Sequence, residues 1–105
     1  MAWLLLLAAG LLEIVWAVAL KESAGFTRLG PGVLAVAAAV ISFVLLSRAM
    51  QTLPAGTAYA VWVGIGALGV ALAGMLRFGE PATAARLLFL GLILAGVVGL
   101  RMVDG

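Results

Sequence analysis

Glu13 is the only acidic or basic side chain within the apolar run from Trp3 to Leu20, and the other apolar runs of the chain carry such groups only at their ends. Insertion scales put a carboxylate at the centre of a membrane helix at about 2.5–3.5 kcal/mol, so such a group faces a water-filled cavity, a proton relay or a cation. Helical spacing places Leu6, Gly10, Glu13, Trp16 and Ala17 on one face. Gly10 leaves space one turn before the acid. Trp16 stands one turn after it, where the indole N–H can be donated to the carboxylate or the ring offered to a bound cation. An interfacial belt is the other use of a tryptophan, and Trp3, at the start of the run, suits it better than Trp16.

Two further runs carry groups of the same kind. Tyr59, Trp62 and Gly66 share a helix face, and two hydrogen-bonding aromatics in a lipid-immersed helix indicate a lined cavity. Tyr59 lies close enough to its helix start that its hydroxyl can also reach the surface. Ser42 is a lone hydroxyl in mid-run, able to bond the carbonyl one turn back in its own helix or to reach Glu13. Gly64 and Gly66 flank Ile65 and weaken a helix interior, which serves either close packing or bending between two states.

The composition sets the environment for these groups. Of 105 residues, 67% are hydrophobic and only 10% charged, a balance that identifies an integral membrane protein. His and Cys are both absent, which removes the usual zinc and haem ligands, disulfides and thiol nucleophiles; no metal or other cofactor is expected. One carboxylate without His, Cys or an acid–base partner is a poor catalytic set, so an enzyme is not expected. The six Lys and Arg residues are dispersed near the ends of apolar runs rather than clustered, the opposite of a nucleic-acid footprint. The first run lacks a basic leader and carries Glu13, so the mature chain is expected to start at Met1 rather than after a cleaved signal peptide.

A membrane helix needs about 20 residues, fewer if its ends are anchored at the interface. The chain supplies a single four-helix transmembrane domain over residues 1–105, with helices expected at about 3–20, 31–47, 57–76 and 84–101. The fold class is therefore an all-α integral membrane protein, and the short connections dictate an up-down-up-down course with both termini on one side. Arg48 and Arg101 lie on the terminal side, against Lys21, Arg28, Arg77 and Arg86 in the two opposite loops. That margin of two charges favours the first and third loops in the cytoplasm but leaves insertion in both orientations open. Four short helices leave little space for a solute pathway, so a transporter of this length requires a second copy. Gly91, Ala95 and Gly99 recur at intervals of four and place small residues along one face of the last helix, suited to a partner backbone or to packing within the chain.

Specific strings carry a resemblance over nearly the whole length: Leu20-Lys21 and Ser23, Gly25-Phe26-Thr27-Arg28-Leu29, Ser42-Phe43, and Leu53-Pro54-Ala55-Gly56-Thr57-Ala58-Tyr59-Ala60-Val61-Trp62. With the acid of the first helix in the same place, the sequence resembles the small multidrug resistance family of bacterial proton-coupled exporters. Within that family the quaternary-ammonium exporters typically have glycine three residues after the acid and the guanidinium exporters tryptophan; here the residue is Trp16. The segment Gly64-Ile65-Gly66-Ala67 is likewise similar to the guanidinium subtype. The resemblance implies an antiparallel homodimer in the bacterial inner (cytoplasmic) membrane, in which Glu13 of each subunit binds either protons or the cation. It implies that Trp16, Ser42 and Trp62 hydrogen-bond the acid and that Tyr59 lines the site. One position departs: where the subtype usually has a small hydroxyl residue, this chain has Val63. Loss of that hydroxyl alters the local hydrogen-bond network and favours a substituted, more apolar guanidinyl compound.

The expected activity is proton-coupled export of guanidinium or small substituted guanidinyl cations. A planar guanidinium offers a fork of donors that matches a carboxylate, and protonation of the acid removes the attraction. Two other readings stay open. A quaternary-ammonium or broad multidrug exporter of the same family would favour bulky aromatic cations over guanidinium. A non-transporting membrane assembly subunit would instead pair Glu13 with a basic residue of a partner.

Overall fold

The structure, a computed structural model, describes residues 2–104. Four α-helices follow one another: α1 Ala2–Glu22, α2 Leu29–Ala49, α3 Ala55–Arg77 and α4 Ala84–Asp104. Each has the length and apolar character to cross a membrane. A 21-residue helix such as α1 spans about 30 Å at about 1.5 Å per residue, the thickness of the hydrocarbon core. The chain is an all-α, multi-pass membrane protein. The helices run past the expected bounds by up to three residues, and the added ends include Lys21, Glu22, Arg48, Arg77 and Asp104. At the interface such charged residues extend a helix while their heads stay in water.

Small residues decide which helices approach closely. Along α2 the buried positions are Gly32, Ala35, Ala38, Ser42, Leu46 and Ala49, spaced by three and four. That stripe lies along α1, the most extensive helix pairing in the molecule; α1 packs next most against α3, and α4 packs on α3. With extents of 41 × 35 × 16 Å the molecule is flattened: α1, α2 and α3 meet in one core and α4 lies against the outside of α3, rather than completing a four-cornered bundle. The core that joins α1, α2 and α3 consists of Leu6, Ala9, Leu46, Ala49, Ala58, Val61 and Trp62.

The reversals are held by local hydrogen bonds. Between α1 and α2 the fully buried Ser23 hydroxyl donates to the Leu20 carbonyl at 2.7 Å and accepts the Phe26 N–H at 3.1 Å. These bonds hold Ala24 and Phe26 at φ of 50° and 67°, on either side of Gly25 at 73°. Left-handed backbone at a residue with a Cβ costs roughly 1–2 kcal/mol, which the Ser23 bonds help offset. At the same end of the molecule Glu22 pairs with Arg77 at 2.7 Å, and the Lys21 ammonium lies 4.7 Å from the centre of the Phe78 ring, joining the ends of α1 and α3. At the opposite end the Thr57 hydroxyl bonds the Asp104 carboxylate, and the Arg101 guanidinium stacks 4.9 Å from the Trp3 ring.

Candidate functional site

Glu13 lies at mid-height of α1, partly buried, on the side facing α3. Its Oε1 is shut away from solvent and has no hydrogen-bond partner. The carboxyl group rests directly on Gly66 of α3: a Cβ at that glycine would overlap Oε1 and Cδ and come within 2.8 Å of Cγ. Gly10, one turn earlier on α1, receives Ile65 rather than leaving a void, since a Cβ there would stand 2.6 Å from Ile65 Cγ2. The α1–α3 seam is thus a pair of complementary notches, Gly10 for Ile65 and Gly66 for Glu13, with Gly69 receiving Ile14 one turn on.

The polar residues expected around the acid form a chain of their own. Trp62, buried in the core, donates its indole N–H to Ser42 Oγ at 3.0 Å. Ser42, with no exposed surface, donates in turn to the Ala9 carbonyl at 2.7 Å. Ser42 therefore bonds neither its own helix nor the carboxylate. The Ala9 carbonyl is the one that helix geometry pairs with the Glu13 N–H, so the chain ends on the backbone turn that carries the acid. The Trp16 indole N–H is buried without a partner. Both ends of the expected contact between Trp16 and Glu13 are thus present and unengaged.

An aromatic row runs beside this network. The Trp16 ring is 6.2 Å from Phe43, Phe43 is 5.5 Å from Trp62, and Trp62 is 5.6 Å from Tyr59, all tilted at 49–55°. Such offsets and tilts suit aromatic pairing. Tyr59 and Val63 are exposed on the outer side of α3. Gly64 sits against Val97 of α4, and α3 is continuously helical through Gly64 and Gly66. Gly91 and Ala95 are exposed on α4 and Gly99 is partly so, with open space where a Cβ at either glycine would be. Two participants were absent from the residues singled out in sequence: Phe43, which links the rings of α1 and α3, and the Ala9 carbonyl. Phe43 lies one position off the small-residue stripe of α2, and a backbone acceptor has no side-chain signature.

Among the described residues no group of three or more acidic, His or Cys side chains could hold a metal ion. The site offers one carboxylate with a shielded oxygen, an unengaged indole N–H, a Ser–Trp pair and a row of aromatic faces. That inventory suits binding of a small cation or a proton, and it lacks the paired groups of a catalyst.

The comparisons agree with this chemistry. Residues 1–93 match the family described as Small Multidrug Resistance protein. A guanidinium exporter of Citrobacter freundii is 59% identical over 102 residues, covering 97% of each chain. A guanidinium exporter of Salmonella typhimurium (strain LT2) is 60% identical over the same share of both chains. One from Yersinia pseudotuberculosis is 56% identical, covering 97% of this chain and 98% of its own. The chain accordingly belongs to the small multidrug resistance family and is a multi-pass membrane transporter rather than an enzyme.

Proposed function

We propose that the protein is a proton-coupled antiporter that exports guanidinium or small substituted guanidinyl cations across the bacterial cytoplasmic membrane. The observation that carries this reading is the Glu13 carboxylate, set mid-membrane with a buried oxygen that no side chain of its own subunit satisfies. The matched relatives are named as guanidinium exporters, which supports the same substrate class.

Glu13 binds a proton or the cation, never both. A guanidinium presents two parallel N–H donors to a carboxylate and binds through charge-assisted bonds; a protonated carboxyl offers no such charge. Exclusive occupancy couples the two fluxes when the loaded transporter opens to one side at a time. Trp16 is ready to donate to the acid, and the Ser42–Trp62 pair redirects to it once Ser42 lets go of the Ala9 carbonyl. Tyr59 and the aromatic row supply faces for the cation, and Val63, with no hydroxyl, favours substituted guanidinyl compounds.

Four short helices in a flattened arrangement leave little space for a solute pathway within one subunit. The second wall is another copy of the chain, and an antiparallel pairing makes inward- and outward-open states equivalent by symmetry. Gly91, Ala95 and Gly99 on the uncovered face of α4 suit a close helix–helix approach between the copies. Bending of α3 at Gly64 and Gly66 accompanies the switch between states.

Proton release on binding tests the proposal. Adding guanidinium to the purified protein in weakly buffered detergent solution should release protons, and Glu13→Gln should abolish the release. Equal release from both proteins would sink the role of Glu13, and no guanidinium binding by the wild type would sink the substrate class.

A further inference from the structure

We infer that Gly66 is a positioning residue: its missing side chain forms a notch in α3 that seats the Glu13 carboxyl in a cation-free position, which the acid must leave to bind substrate. The inference rests on the proposed role of Glu13. Three atoms of the side chain, Cγ, Cδ and Oε1, occupy the space that a Cβ on residue 66 would fill. In the notch Oε1 is buried and has no donor. A forked guanidinium needs both carboxylate oxygens, and one of them is closed off against the helix backbone. At the same time Trp62 and Ser42 are bonded to each other and to the Ala9 carbonyl, and the Trp16 N–H is unengaged. The donors around the acid are thus arranged as they must be when the acid is elsewhere.

The notch differs from its neighbours in what fills it. Gly64 receives the branched side chain of Val97 and Gly69 that of Ile14, both fixed packing partners. Gly66 receives the free end of an unbranched side chain, which can swing away. A methyl group at position 66 therefore displaces the carboxyl more readily than it displaces a helix, and the displaced carboxyl is the one able to take a cation. Removing a competing seat raises the binding-competent fraction, and apparent affinity rises with it.

Two readouts of Gly66→Ala test this in the purified full-length protein. Titration calorimetry with guanidinium should show binding tightened by about threefold or more, the gain expected when a seat holding most of the population is removed. A hydrophobic carbodiimide should modify Glu13 faster, read by mass spectrometry of its peptide, whereas Gly69→Ala should leave that rate unchanged. A purely structural role for Gly66 predicts the opposite sign: weaker guanidinium binding, with labelling no faster than in Gly69→Ala, and that pattern overturns the inference. If the wild type binds no guanidinium, the proposed function fails while the carbodiimide rates still decide whether the notch seats the acid. Should Gly66→Ala fail to fold, Glu13→Ala combined with it must restore a monodisperse protein on gel filtration; failure of both overturns the seat.

Discussion

Helices α1 and α4 are both 21 residues long and both apolar enough to cross a membrane, yet their surroundings are opposite. α1 is enclosed by α2 and α3, buries Leu6, Ala9, Gly10 and Ala19, and carries the single mid-membrane charge. α4 packs mainly on α3, touches α1 where Arg101 lies over the Trp3 ring, and buries none of its residues. The difference follows from what each helix must do. A carboxylate in the membrane needs protein around it, so the small residues of α2 and the glycines of α3 bring two helices tightly onto α1. α4 has no such group to shelter, and its small residues are left on a face that the chain itself does not use.

This contrast can be broken by substitutions that should act on one helix and not the other. The largest effect belongs to Glu13→Gln, which should lower guanidinium-coupled proton flux by at least about 100-fold, equivalent to about 2.7 kcal/mol, while the helical content measured by circular dichroism stays unchanged. A Gln variant that keeps its flux would show that α1 does not carry the site. Next comes α4. Gly91→Leu together with Gly99→Leu meets open space within the chain, so helical content and monomer stability should hold. Association, followed by light scattering in detergent, should weaken by about tenfold or more, roughly 1.4 kcal/mol. Unaltered association would move the proposed interface off this face.

Smaller effects sharpen the α1 side. Ser42→Ala leaves the Trp62 N–H and the Ala9 carbonyl without their shared hydroxyl, and should lower thermal stability by about 1 kcal/mol. A variant as stable as wild type would mean that the Ser42 bridge does not hold α1 to α2. Smallest is Glu22→Gln at the loop end. Arg77 is 63% exposed there, so solvent screens the pair and its loss should change stability by no more than about 0.5 kcal/mol. A larger loss would identify that end of the α1–α3 seam as a principal clamp.

The four spanning segments and the isolation of Glu13 within one of them were legible in the sequence because both depend on composition and local spacing. An isolated acid within an apolar run needs no partner to be recognised, and prolines, glycines and charges mark where each run stops. The inter-helix register was not legible. Trp62 and Ser42 are separated by 20 residues, and Ser42 and Ala9 by 33, so their bonds depend on how the helices slide against one another. The same holds for Gly66, which reads in sequence as a weak point in a helix and in the structure lies directly under the carboxyl of Glu13. The flattened shape was likewise hidden, because short loops fix the order of helices along the chain but not the shape they enclose.

The central claim is that one carboxylate exchanges a proton for a cation, and proteoliposomes containing only this protein test it most directly. With guanidinium loaded inside and the two sides initially at equal pH, its efflux should acidify the lumen, as read by an internal pH dye, and a guanidinium-free interior should give no change. Guanidinium efflux without any movement of protons would contradict the account.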